Sequence, residues 1–373
     1  VSFVMSRIRV LVIDDAVVFR KVLSDVFGSD PDIEVVGTAQ NGQIGLAKIE
    51  QLNPDLVTLD VEMPVMDGLA TLKEIRKRWA RLPVVMFSTL TSRGAESTLD
   101  AIALGASDYA AKPNGMGSSS EAMERVRAEL LPKVKALVGR VRSTTVRVAT
   151  PIAPRLPSLL GSTRVRDIPH ILAIGSSTGG PNALADVLRA LPSDFPLPVV
   201  ITQHMPPVFT RLLAERLTRV TSLPVVEATD GAILTPGRAL IAPGDRHLTF
   251  AGSGTARCVR LGDGPPENFC RPSVDVMFRA CADAFGGHVL GVVLTGMGQD
   301  GLRGAERIRQ AGGDIFVQDE ESSVVWGMPG SIASAGLADR VLPLAEIGGA
   351  IVRRVAEARG RTANGPGEPA RRP

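Results

Sequence analysis

Three cysteines, four histidines, two tryptophans and one tyrosine are all that 373 residues supply of those types. Cys258, Cys270 and Cys281 are odd in number and show no C-x-x-C spacing. That argues against a disulfide framework or a thiolate zinc site and fits a reducing compartment. Apolar runs of bilayer-crossing length are missing, so no direct membrane insertion is expected. Residues 1–7 lack the apolar centre of a signal peptide; Val1 reads as an alternative start codon, or Met5 as the true start, and a cytoplasmic location is expected. A dominant charge is also missing. With 42 basic and 39 acidic residues, the net charge of +3 is too balanced to imply nucleic acid. What is present is 44% hydrophobic and 22% charged, an ordinary globular composition with length for two domains, each with its own core.

The stretch Ile171-Leu172-Ala173-Ile174-Gly175-Ser176-Ser177-Thr178-Gly179-Gly180-Pro181 organises the second half. An aliphatic run ending in small residues before a helical pattern reads as strand, tight turn and helix. Ser177 stands at the turn, its hydroxyl leaving the carboxyl end of a strand where the N–H groups of the next helix can face a developing anion. By itself G-x-S-x-G leaves three readings open: a nucleophile, a plain tight turn or a phosphate loop.

In the first half, residues 7–15 form a strand delivering Asp14 and Asp15 at its end. Adjacent acids fit a hard divalent cation, Mg²⁺, or an N-cap for the helix at 17–27. Further strands at 35–39, 55–60, 83–88 and 107–113 alternate with helices and end in Asp60, Ser88 and Lys112. The alternation predicts a doubly wound parallel sheet with ligands at its carboxyl edge. Three acids, a lysine and a hydroxyl on one rim suit phosphoryl transfer to a carboxylate. These residues, with Asp60-Val61-Glu62-Met63-Pro64-Val65-Met66-Asp67-Gly68 and Lys112-Pro113, resemble a response-regulator receiver over residues 7–130. The resemblance implies a flavodoxin-like fold, Asp60 as phospho-acceptor, Asp14, Asp15 and Asp60 as Mg²⁺ ligands, and Ser88, Tyr109 and Lys112 as switch residues.

Ser118 and Glu121 have capping-box spacing for a last receiver helix, which Pro132 is expected to end or bend. Residues 132–166 hold no acid and recurrent Pro, Ser and Thr, a linker composition. The expected organisation is a receiver at 1–130, a basic linker at 131–167, a catalytic domain at 168–358 and a disordered Arg/Pro/Gly tail at 359–373.

In the second domain, the strand at 197–203 places His204 on the rim that carries Ser177. His170, His247 and His288 fall elsewhere, His247 beside an expected hairpin turn at Pro243-Gly244-Asp245. That makes His204 the candidate base. Asp300 and Asp319 both follow strands, and spacing leaves them tied as the acid that orients the imidazole. The order Ser, His, Asp is not that of α/β-hydrolases, so that fold is not assigned.

Five segments in order resemble the chemotaxis methylesterase family CheB over residues 168–355. They are Gly175–Gly180, Thr202-Gln203-His204-Met205-Pro206-Pro207, Ile241-Ala242-Pro243-Gly244-Asp245-Arg246-His247, Arg271-Pro272-Ser273-Val274-Asp275 and Leu294-Thr295-Gly296-Met297-Gly298-Gln299-Asp300-Gly301. Two positions depart from the family pattern: Gln299 stands where asparagine is usual, and Cys270 where histidine is more familiar. The resemblance implies a Rossmann-like domain with Ser177 as nucleophile, His204 as base, Asp300 as orienting acid, and Thr178 and Met297 beside the substrate. It also implies a glutamyl methyl ester on methyl-accepting chemoreceptors as substrate, methanol as product and glutamine deamidation as a second activity. No cofactor is expected for the esterase reaction, and a chemotaxis histidine kinase is the expected phosphodonor. The unphosphorylated receiver is expected to restrain the esterase by covering the Ser177 rim. Two rivals from other classes are a DNA-binding regulator, to which the basic linker would belong, and a non-catalytic module that only binds receptors; the second half shows no helix-turn-helix.

Overall fold

The computed structural model describes residues 6–89, 91–113, 120–146 and 167–363. Ser118 of the expected capping box, most of the expected linker and residues 364–373 of the expected tail lie outside the described residues, whereas residues 359–363, read as part of that disordered tail, end a helix that runs to Ala363. The chain divides into two units, Val1–Pro151 and Ile152–Pro373.

The first unit alternates strands β1 Ile8–Ile13, β2 Ile33–Ala39, β3 Leu56–Asp60, β4 Val84–Ser88 and β5 Asp108–Ala111 with helices. The helices are α1 Val17–Gly28, α2 Gly42–Leu52, α3 Gly68–Arg78, α4 Ser92–Ala103 and α5 Ser120–Val146. All strand pairs are parallel, in the order β2-β1-β3-β4-β5. β3 and β4 are buried at every residue because helices cover both faces, which is why they read as unbroken apolar runs. Asn41, Asp67 and Thr91 cap α2, α3 and α4 by accepting backbone N–H groups of their first turns.

α5 departs from expectation, continuing through Pro132 to Val146. Val126, Leu130, Val134, Leu137 and Val138 recur at helical spacing and are buried. Lys135 pairs with Asp30 and Asp32 at 2.8 and 2.9 Å. This apolar stripe, docked on α1 and β5, outweighs the one backbone bond that proline removes. Residues 132–146, read as linker, are therefore helical.

The second unit contains β6 Ile171–Ser176, α6 Gly180–Arg189, β7 Val199–Gln203, α7 Phe209–Val220, β8 Val225–Glu227 and β9 Ala239–Ile241. A hairpin, β10 His247–Ala251 and β11 Cys258–Gly262, follows, then α8 Val274–Phe285 and β12 Val289–Val293. α9 Leu302–Ala311, β13 Asp314–Gln318, α10 Met328–Ser334, β14 Arg340–Leu342 and α11 Leu344–Ala363 complete it. The main sheet is parallel, ordered β14-β13-β12-β6-β7-β9-β8. From β6 the chain first builds outward through β7 and later returns to add β12 on its other side. The loops leaving β6 and β12 therefore part at a topological switch point, where an open parallel sheet has its crevice.

The turn at Pro243-Gly244-Asp245 is not a hairpin turn: β9 pairs only with β7 and β8, and the hairpin lies between β10 and β11. Gly244 is required there by close approach instead. A side chain on it would strike the backbone of Met205–Pro207, and its N–H donates to Thr210 Oγ1 at 3.0 Å. The segment after His204 is thus clamped from outside the sheet. Among the described residues no helix is long and apolar enough to cross a membrane.

Candidate active site

Ser176 pairs with Gln203 as the last register between β6 and β7, so Ser177 and His204 are the next residues on neighbouring strands. The His204 N–H donates to the Ser176 carbonyl at 3.2 Å, and Gln203 Nε2 donates to the Ser177 carbonyl at 2.9 Å. The Ser177 N–H donates to the Thr295 carbonyl of the loop after β12 at 3.0 Å. Gly179, at φ 77°, makes the turn into α6, a left-handed conformation that glycine adopts without strain. Gly296 is required by contact: a Cβ there would lie 2.9 Å from that of Ser177.

His204 Nε2 lies 2.7 Å from Asp300 Oδ2, with the side chains 13% and 2% exposed. Asp300 is surrounded by donors at the start of α8. Its Oδ1 accepts from Ser273 Oγ at 2.8 Å, Asn268 Nδ2 at 3.0 Å and the N–H groups of Asp275 and Gly301, each at 3.1 Å. Its Oδ2 accepts the Val274 N–H at 2.7 Å. Burial pushes the Asp300 carboxyl up, but the His204 bond and these donors prevail and hold it below its ordinary value, at about 2. Burial likewise disfavours charge on His204, yet the bonds to Asp300 and Cys270 prevail and raise the imidazole. An ionised Asp300 accepting from Nε2 holds the proton on that nitrogen and leaves Nδ1 outside the bond. Nδ1 faces Cys270 Sγ at 3.5 Å, and among the described residues the Ser177 hydroxyl makes no hydrogen bond.

The structure brings His204 and Asp300 together and sets Ser177 on the adjacent strand end, with the Ser177–His204 bond unformed. It separates the tied alternative, Asp319, whose carboxylate accepts from Ser322 N and Oγ in a turn of its own. Thr178 is buried and its carbonyl accepts from Thr295 Oγ1 at 2.9 Å; Met297 is half-buried on the same loop. His247 bonds the Pro265 carbonyl and accepts the Ser273 N–H at 3.3 Å, behind the donors of Asp300, and His170 stacks on His288 at 4.1 Å, so among the described residues none of these three bonds His204 or Asp300 directly. Asn268, Ser273 and Asp275 went unassigned in the sequence. Ser273 carried a local signal, since it caps α8 through the Val276 N–H, but a cap is not visibly also a ligand of a distant aspartate. A cleft of about 610 Å³ opens beside the loop, lined by Asn268, Phe269, Gly298, Gln299, Trp326 and Gly327 among others.

In the first unit, Lys112 Nζ lies 2.8 Å from both Asp14 Oδ2 and Asp60 Oδ2 at the carboxyl ends of β1, β3 and β5. Asp14 Oδ1 also accepts the Ala16 N–H ahead of α1. One carboxylate oxygen from each of Asp14, Asp15 and Asp60 falls within 4.8 Å of the others, an acidic pocket typical of Mg²⁺ binding. Burial first, and then the Asp14 charge, raise Asp60 to about 6 against the opposing pull of Lys112. Ser88 Oγ donates to the Gly94 carbonyl at 3.2 Å, and Tyr109 is buried beneath Lys133, whose ammonium lies 5.1 Å from its ring centroid.

Residues 10–124 match the response regulator receiver domain, and residues 172–351 match CheB methylesterase. A protein-glutamate methylesterase/protein-glutamine glutaminase from Trichodesmium erythraeum (strain IMS101) is 49% identical over 354 residues, covering 94% of this chain and all of that one. A relative of the same description from Nocardioides sp. is 51% identical over 357 residues, covering 95% of this chain and 97% of its own. The solved Thermotoga maritima CheB methylesterase catalytic domain is 41% identical over 50% of this chain and 98% of its own, with a TM-score of 0.49.

Proposed function

This chain belongs to the CheB methylesterase family, with a response-regulator receiver ahead of the catalytic domain, and from that premise we propose that Ser177, His204 and Asp300 carry its chemistry. The activity is that of a protein-glutamate methylesterase/protein-glutamine glutaminase. The observation carrying the residue assignment is the 2.7 Å bond between a buried, ionised Asp300 and His204, which follows β7 beside Ser177 at the end of β6.

The Ser177 hydroxyl turns to His204 Nδ1, gives up its proton and attacks the glutamyl ester carbonyl. Backbone N–H groups at the elbow face the resulting oxyanion, each such donor worth about 10²–10³-fold in rate. The proton on Nδ1 passes to departing methoxide, giving methanol and an acyl-serine. Water, deprotonated by Nδ1, cleaves that ester, releases glutamate and returns the proton to Ser177. General-base help of this kind contributes roughly 10²–10⁴-fold. A glutamine side chain follows the same course with ammonia as the leaving group. Thr178 and Met297 border the space where the ester sits, and methylated chemoreceptors are its bearers. Three free cysteines accord with a reducing, cytoplasmic setting.

In the receiver, Asp60 accepts a phosphoryl group from a chemotaxis histidine kinase. Asp14, Asp15 and Asp60 are an all-oxygen set with more negative charge than Lys112 offsets, which fits Mg²⁺; bound there, the ion neutralises phosphoryl oxygens. Lys112 shares that charge, Ser88 exchanges the Gly94 carbonyl for a phosphoryl oxygen, and Tyr109 responds to the shift. The unphosphorylated receiver restrains the esterase, and a coupling of about 1–3 kcal/mol changes activity about 5–150-fold. The test measures methanol release from methylated receptors with and without a small phosphodonor. Release should rise with phosphorylation in the parent, not in Asp60→Asn, and vanish in Ser177→Ala; retained release in Ser177→Ala contradicts the assignment.

A further inference from the structure

We propose that Cys270 is a reactive thiol activated by the same imidazole that serves Ser177, and that its oxidation by peroxide or its alkylation switches the esterase off. The inference rests on the esterase reading only for its activity readout. Cys270 Sγ lies 3.5 Å from His204 Nδ1, while Nε2 is committed to Asp300 at 2.7 Å. Cysteine, imidazole and carboxylate therefore stand in series, the arrangement that activates a nucleophile through a base held by a third group. The thiol is further held by the Asn268 carbonyl at 3.3 Å, on the residue whose amide bonds Asp300. It is half-buried and follows Phe269, which is fully exposed, so small reagents reach it.

The other two cysteines lack these features. Among the described residues Cys258 Sγ has only the Ala251 carbonyl at 3.8 Å, and Cys281 is fully buried, which pushes its thiol up. With hydrogen peroxide, His204 Nδ1 takes the Cys270 S–H proton as the sulfur attacks one peroxide oxygen and the O–O bond breaks. The departing hydroxide takes the Nδ1 proton as water, leaving a sulfenic acid and a neutral imidazole. Sulfur is oxidised and peroxide reduced by two electrons. The added oxygen occupies the side of the ring that Ser177 must reach, so one nitrogen cannot serve both.

The full-length protein is treated with iodoacetamide at neutral pH, and alkylation of each cysteine is followed by peptide mass spectrometry. Cys270 should react about tenfold faster than Cys258, and His204→Gln should bring the two rates together. In parallel, methanol release is measured before and after dilute peroxide in chelator-containing buffer, each variant against its own untreated sample. The parent should lose most of its activity and regain it with dithiothreitol, while Cys270→Ser and Cys270→Ala keep theirs. Cys270 alkylation no faster than that of Cys258, or equal peroxide loss in Cys270→Ser, overturns the proposal. Because alkylation needs no turnover, fast labelling without methanol release would count against the esterase reading and leave the thiol assignment standing.

Discussion

Asp60 and Asp300 are both buried carboxylates at the carboxyl rims of parallel sheets, 5% and 2% exposed, yet their acidities move in opposite directions. Asp60 receives one backbone N–H and one lysine while sharing its pocket with Asp14. Asp300 receives five donors besides His204, three of them backbone N–H groups at helix starts. Burial raises both; the His204 bond and charge, joined by backbone donors, overcome it at Asp300, whereas at Asp60 the Asp14 charge adds to it and Lys112 does not offset the two. A carboxylate short of donors retains basicity to spend on an incoming phosphorus; one saturated with donors is inert and serves only to orient and stabilise an imidazolium.

Removing charge at the two sites should break this contrast most sharply. Asp300→Asn is expected to lower methanol release about 10⁴-fold, because the amide no longer fixes the Nε2 proton. Any residual pH–rate inflection should move down, since Asp300 is what raises His204. Kinetics across pH check both. At the other site, Asp60→Asn should stabilise the receiver at neutral pH by about 1–3 kcal/mol, seen in denaturant melts. The sign follows from a folded value of about 6 against an ordinary 3.8: the folded protein binds the proton more tightly, so this group costs stability as pH rises through that window. The gain from Asp60→Asn should therefore fade as pH drops from about 6 toward 4. Asp300 has the reverse sign, contributing stability above its ordinary value that is lost only as pH falls toward about 2.

Trimming one donor sharpens the comparison further. Ser273→Ala removes a single bond to Asp300 and should cost about tenfold in methanol release, in line with one hydrogen bond to a charged group. An unchanged rate would mean that the remaining donors suffice. Smallest of all, Mg²⁺ affinity measured by titration should weaken as pH falls through about 6, because Asp60 must be deprotonated to offer an oxygen.

Much of this was legible in the sequence because parallel sheets write themselves plainly. A strand buried on both faces is an unbroken apolar run, and the residue that ends it is the one delivered to the rim; Asp60, Ser177 and His204 all follow that rule. What stayed hidden depends on contacts between distant segments. Asp300 and Asp319 both end strand-to-helix patterns, and only the approach of α8, whose Val274 packs on Gly175, shows which one meets His204. The path of α5 through Pro132 was hidden for a related reason, since the local penalty is visible in the chain while the stripe docking on α1 and β5 is a property of the fold. Cys270 belongs to the same class: an irregular segment between β11 and α8 carries no periodicity that would place it against an imidazole 66 residues away.

The most direct test treats the full-length protein with a serine-reactive phosphonate and locates the adduct by mass spectrometry. A single adduct on Ser177, formed slowly or not at all in His204→Gln and Asp300→Asn, is the expected result. An adduct absent from Ser177, or one that forms there equally fast without His204, would contradict the shared hydroxyl, imidazole and carboxylate on which the account stands.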